Sequence, residues 1–129
     1  MLRITMLALV LAPHLALAEK VYTENKKTLT HDCASEPEVV VKAHENKLKF
    51  TGACSRIEVK GNTNTVAIAS VNALRVTGNG NTIDVIATDA IEATGSNNNV
   101  VWHKTASDKV KTPAVSNRGL KNSVGQATK

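Results

Sequence analysis

Three carboxylates, Asp84, Asp89 and Glu92, lie close together in the sequence. Two carboxylates facing each other across a groove, one with a raised pKa, can cleave a glycosidic bond. Here Asp84 and Glu92 are expected at outward strand positions and Asp89 in a connector, which makes them a solvated face. A second group, His31-Asp32-Cys33 with His44-Glu45, could gather beside Cys54 and ligate a metal or act as a base. Zinc is poorly served, because no Cys-x-x-Cys is present and His31, His44 and His103 lack ligand spacing. Gly-x-Ser-x-Gly, His-Glu-x-x-His and phosphate-loop patterns are also missing. The residues point to a non-enzyme without metal or cofactor, and a small secreted enzyme is the alternative.

The compartment is read from residues 1–18, MLRITMLALVLAPHLALA. Arg3 precedes an apolar stretch that ends in Ala16-Leu17-Ala18, the small-x-small pattern of signal-peptidase cleavage. The stretch is shorter than the roughly 20 apolar residues of a membrane span, and it contains Pro13 and His14. A secretory signal peptide is expected, with Glu19 as the first mature residue and no transmembrane segment after cleavage; an uncleaved anchor or a buried N-terminal helix is the alternative. The product would be exported, periplasmic or extracellular. Two cysteines, Cys33 and Cys54, then enter an oxidising compartment, where an even pair reads as one disulfide. Two free buried thiols are the alternative.

Charge is unevenly distributed. The formal total is +5. Residues 19–102 hold nine Lys/Arg against ten Asp/Glu, whereas residues 103–129 hold six against one. Lys104, Lys109, Lys111, Arg118 and Lys121 are therefore a candidate basic binding segment for an anionic envelope polymer or an acidic protein. A solvated, soluble end is the bland alternative. Nucleic acid is not expected, because only Tyr22, Phe50 and Trp102 are aromatic and stacking platforms need rings.

The elements that carry these residues follow from a repeat. IEVKGNTNTVAI at 57–68, LRVTGNGNTIDV at 74–85 and IEATGSNNNVVW at 91–102 align at a constant offset of 17 residues without a gap. A degenerate copy, VVVKAHENKLKF, precedes them at 39–50, and Asn122-Ser123-Val124 echoes Asn81-Thr82-Ile83. Each copy holds two short runs of alternating apolar residues joined by a Gly-Asn turn, so the chain is all-β. A parallel β-solenoid of about four to five short coils and an antiparallel meander, sandwich or roll both fit the pattern.

Three features favour the solenoid. Asn46, Asn64, Asn81 and Asn98 recur at one internal position, where stacked amides can form a ladder. Glu58, Arg75 and Glu92 fall in one outward column of alternating sign. The inward residues are Val, Ile, Leu and Ala, which suits a thin core. Residues 19–38 are expected to cap the first coil, residues 39–102 to form the repeats, and residues 103–129 to mix loop, last coil and tail. Trp102 is expected to close the far end of the core. The outward column Lys42, Lys60, Thr77, Thr94 is only half Thr, so ice or crystalline polysaccharide binding remains a lesser alternative.

Gly61-Asn62-Thr63-Asn64-Thr65, Gly78-Asn79-Gly80-Asn81-Thr82 and Gly95-Ser96-Asn97-Asn98-Asn99, with Cys33 and Cys54, resemble the domain-of-unknown-function family numbered 3060. The resemblance spans roughly residues 30–125 and implies a small exported bacterial protein. Asn99 stands where the family has Thr. The family has no assigned activity, so it implies no functional residues. An exported structural or binding module of the envelope is the resulting expectation.

Overall fold

The computed structural model describes residues 19–127. The expected signal peptide lies outside the described residues. The nine strands are β1 (Lys20–Tyr22), β2 (Thr28–Asp32), β3 (Glu38–Val41), β4 (Lys47–Asn62), β5 (Thr65–Asn79), β6 (Thr82–Ser96), β7 (Asn99–Lys104), β8 (Ala114–Asn117) and β9 (Ser123–Gln126). Every pairing is parallel, which selects the solenoid over the meander. The chain makes about five turns at the spacing of the repeat.

Each coil contributes a strand to two facing ranks. The first rank runs β1, β3, the second halves of β4, β5 and β6, then β8. The second runs β2, the first halves of β4, β5 and β6, then β7 and β9. The constant offset appears as register: Val59, Val76 and Ala93 lie side by side, as do Val66, Ile83 and Val100. β4 carries an irregularity between Phe50 and Ala53, where Gly52 has φ +76° and absorbs the extra residue of that connector.

Period-two alternation sends one set of side chains between the ranks. Val39, Ile57, Leu74 and Ile91 form one buried column, and Leu48, Val66, Ile83 and Val100 another. Burying each such aliphatic side chain contributes about 1.5–3 kcal/mol. The stack explains the poverty in rings, since each level admits only a few aliphatic groups. Phe50 is buried in the column that leads through Ile68 and Val85 to the partly buried Trp102.

One boundary differs from the sequence reading. Residues 19–38 are not a separate cap: β1 and β2 continue both ranks, so this segment is the first coil. Residues 103–127 hold the last coil expected in this segment, because β8 and β9 extend the ranks beyond Trp102. Trp102 therefore packs one layer inside the end, with Gln126 beside it in register. Its place at the end of the last clear repeat suggests end closure, but the weak Asn-Ser-Val echo marks a further layer.

Candidate functional site

The turn between the ranks is built from backbone constraints. Lys26, Glu45, Thr63, Asn97 and Lys121 share φ near +57°, with Gly80 at +67° between Thr63 and Asn97. The coils touch most closely two residues earlier in sequence. A Cβ on Gly78 would lie 1.9 Å from the Gly61 carbonyl oxygen, and one on Gly95 would lie 2.0 Å from that of Gly78. Only glycine permits that approach, and it brings the carbonyl within reach of the Asn side chains.

Those side chains form the expected ladder. Asn81 Oδ1 accepts from the Asn64 backbone N–H at 3.0 Å and from Asn64 Nδ2 at 3.1 Å. Asn98 Oδ1 accepts from the Asn81 N–H at 3.1 Å and from Asn81 Nδ2 at 3.0 Å. Each Nδ2 also reaches back to the preceding coil: Asn81 to Gly61 O at 2.9 Å and Asn98 to Gly78 O at 2.8 Å. Asn64 Oδ1 accepts from the Asn46 N–H, and Asn46 Oδ1 from the Lys27 N–H. The structure adds a fifth rung, Asn122, whose Oδ1 accepts from the Asn98 N–H at 2.9 Å. The sequence echo at 122–124 had pointed to it. The ladder is a structural device: each amide answers polar groups that the turn would otherwise bury unpaired.

The carboxylates do not converge. Asp84, on the second rank, holds His103 Nε2 at 2.8 Å. Asp89, at the corner, accepts the Ala106 and Ser107 N–H groups, both at 2.9 Å, and so anchors the loop before β8. Glu92, on the first rank, meets Arg75 at 3.5 Å. The outward column is thus in register as expected, but Glu58 pairs with Arg56 and Lys60 instead of Arg75. Arg56 also bridges Glu19 and Glu38.

The histidine group is split. His31 is buried, its Nε2 donates to the Glu36 carbonyl, and its Nδ1 faces the Tyr22 hydroxyl at 2.7 Å. A carbonyl can only accept, so neutral His31 carries its proton on Nε2 and Tyr22 donates to Nδ1. Burial, then the Glu36 charge, push the Tyr22 hydroxyl above its ordinary pKa of 10.0. His44 lies at the opposite corner, where its Nδ1 accepts from the Asn62 N–H at 3.0 Å. It lines a shallow concavity with Lys26 and Glu45, which form an ion pair at 3.8 Å. Among the described residues, no group of three or more His, Cys, Asp or Glu is arranged to hold a metal. Cys33 and Cys54 are joined in a disulfide that ties the first coil to the second, as expected.

The basic residues of the C-terminal segment lie on the last coil, the loop that leads into it and the end of β7. Lys104 ends β7, Lys109 and Lys111 sit in the Asp89-anchored loop, Arg118 follows β8, and Lys121 occupies the turn before β9. All five are exposed. Among the described residues none of them has a carboxylate within ion-pair distance; in the body Arg56, Lys60 and Arg75 do, while Lys20, Lys42, Lys47 and Lys49 do not. They are spread over both corners of the coil and do not form a linear tail. The Thr77 and Thr94 hydroxyls do bond along their column at 3.3 Å, but that column passes from Lys60 on one side to Arg118 on the other.

Short coils, two ranks and an internal Asn ladder define a repeat protein of the parallel β-solenoid class. A family model described as "Protein of unknown function (DUF3060)" matches residues 41–85 and 71–122, and the chain belongs to that family. No curated protein and no solved structure matches the chain significantly.

Proposed function

We propose that the chain is an exported, non-catalytic module of the bacterial envelope that binds an anionic partner, polymer or acidic protein, through its basic last coil. The observation that carries this reading is the local charge excess: Lys104, Lys109, Lys111, Arg118 and Lys121 are exposed without carboxylate partners among the described residues, and residues 103–129 hold one acidic residue, Asp108, whereas residues 19–102 balance nine Lys/Arg with ten Asp/Glu. Unneutralised cations on a rigid scaffold attract polyanions without side-chain reorganisation. The signal-like residues 1–18 and the Cys33–Cys54 disulfide support export. The separate engagements of Asp84, Asp89 and Glu92 support a role without catalysis.

The test is binding to dextran sulfate and to polyglutamate, with neutral dextran as control. Both polyanions should bind, and the affinity should fall as salt is raised. Equal binding of neutral and sulfated dextran would overturn the reading.

A further inference from the structure

The two ends of the stack are finished differently. At the N-terminal end, Tyr22 and His31 close over Phe50, hydrogen-bonded to each other and packed edge-on, with His31 and Phe50 centroids 5.7 Å apart. Lys27 stands at the ladder position of that coil, so no further amide is offered. At the C-terminal end the inner column runs out into solvent. Val39, Ile57, Leu74 and Ile91 are at most 2% exposed, but Val115, next in the same column, is 47% exposed, and Leu120, five positions further along against Ser96, is 72% exposed.

The backbone there is also open. Arg118 N–H points back to Ala93 O. Alternation along a parallel strand then directs the N–H and C=O groups of Val115 and Asn117 away from β6, off the end of the stack. Among the described residues no strand pairs with that edge of β8. Every earlier rung passes its backbone N–H to the Asn of the next coil, and Asn122 has no such successor. The edge is rimmed by Lys111, Arg118 and Lys121.

A second copy does not fit this end. Stacked head to tail, it would bring Glu24, which carries a Cβ, into the glycine column above Gly119, so the close joint that Gly61, Gly78, Gly95 and Gly119 make within the stack would not form there. Its Lys27 would offer no amide oxygen to Asn122. Stacked tail to tail, it would oppose two sets of unpaired cations.

We infer that the open edge of β8 receives an extended acidic polypeptide, which adds one more parallel strand to the first rank. An aliphatic side chain of that strand covers Val115, its backbone pairs with Val115 and Asn117, and its carboxylates meet Lys111 and Arg118. Edge-strand addition draws affinity from main-chain hydrogen bonds and specificity from alternate side chains. This inference rests on the proposed function and narrows the anionic partner to a polypeptide strand.

The probes are a labelled peptide of alternating Glu and Val, a peptide of equal charge alternating Glu and Pro, and dextran sulfate, each titrated into the purified protein with its disulfide formed. Proline cannot donate to a ladder, so the Glu-Val peptide should bind about tenfold or more tightly than the Glu-Pro peptide. It should also slow hydrogen exchange at the Val115 and Asn117 amides. Equal affinity of the two peptides, without that protection, would overturn strand addition and leave only charge attraction. Binding of dextran sulfate with neither peptide bound would overturn the inference and spare the proposed function. Binding of none of the three would overturn both.

Discussion

Asn46 and Asn64 occupy the same rung position in successive coils, yet Asn64 Nδ2 donates to Ala43 O at 2.9 Å while Asn46 Nδ2 is buried with no partner. The difference traces to position 43. Gly61, Gly78, Gly95 and Gly119 let the preceding carbonyl close to within about 2 Å of where a Cβ would stand. Ala43 carries that Cβ, and the carbonyl below it does not reach Asn46. Glycine and asparagine thus work as one unit per coil, and the unit is incomplete at the first joint.

The ladder makes unequal predictions for its rungs. Asn81→Ala removes a side chain bonded on both sides and leaves Asn64 donors unsatisfied, so it should destabilise by about 1–3 kcal/mol. Asn46→Ala removes a side chain that already lacks one partner and should cost less. Urea denaturation of the two variants measures the order, and a larger loss for Asn46→Ala would contradict it.

The turn columns predict effects of opposite sign. Gly78→Ala places a Cβ against the Gly61 carbonyl at a φ of +144° and should cost at least about 3 kcal/mol. Thr63 is β-branched at φ +57°, and its neighbour in the column is Gly80. Thr63→Gly should relieve that strain and stabilise by about 1 kcal/mol. Thermal melts of both variants provide the check.

The disulfide spans 21 residues, and its loss should lower stability by about 3 kcal/mol in the loop-entropy account. In a stack each coil touches only its neighbours, so the damage should be local. In a Cys33→Ser/Cys54→Ser variant, hydrogen exchange should rise along Thr28–Asp32 and stay slow along Thr82–Val85 under native conditions.

Tyr22 predicts an alkaline limb. Its hydroxyl is held protonated in the fold above the ordinary value of 10.0, by burial and then by Glu36. A raised folded pKa gives stability that is complete below the unfolded value and is lost as pH climbs through the folded one. Tyr22 is the sole tyrosine, so the phenolate absorbance of the native protein titrates this group alone. Its midpoint should exceed 10.0, and Tyr22→Phe should remove the associated loss of stability.

The repeat body was legible because its constraints are periodic. A constant offset gave the register of Val59 with Val76, and recurrence gave the ladder of Asn46, Asn64, Asn81 and Asn98. The ends were less legible, since terminal coils share little sequence with the interior. Lys27 and Glu24 replace Asn and Gly in the first coil, and a loop separates Asn122 from Asn98 in the last. The split of His31 from His44 could not be read either, because they flank opposite corners of a coil whose path only the three-dimensional turn reveals. Ion pairing was half legible: the Arg75–Glu92 contact follows from register, whereas Glu58 turns toward Arg56 and Lys60 on its own strand.

Retention from an envelope extract tests most directly whether the last coil is the binding surface proposed above. The intact protein and a variant with Lys104, Lys109, Lys111, Arg118 and Lys121 all changed to Gln would be immobilised side by side, after urea melts confirm equal stability. The account predicts that the intact protein retains material at low salt and releases it as salt is raised, and that the variant retains little at any salt. Equal retention by the two proteins would contradict it.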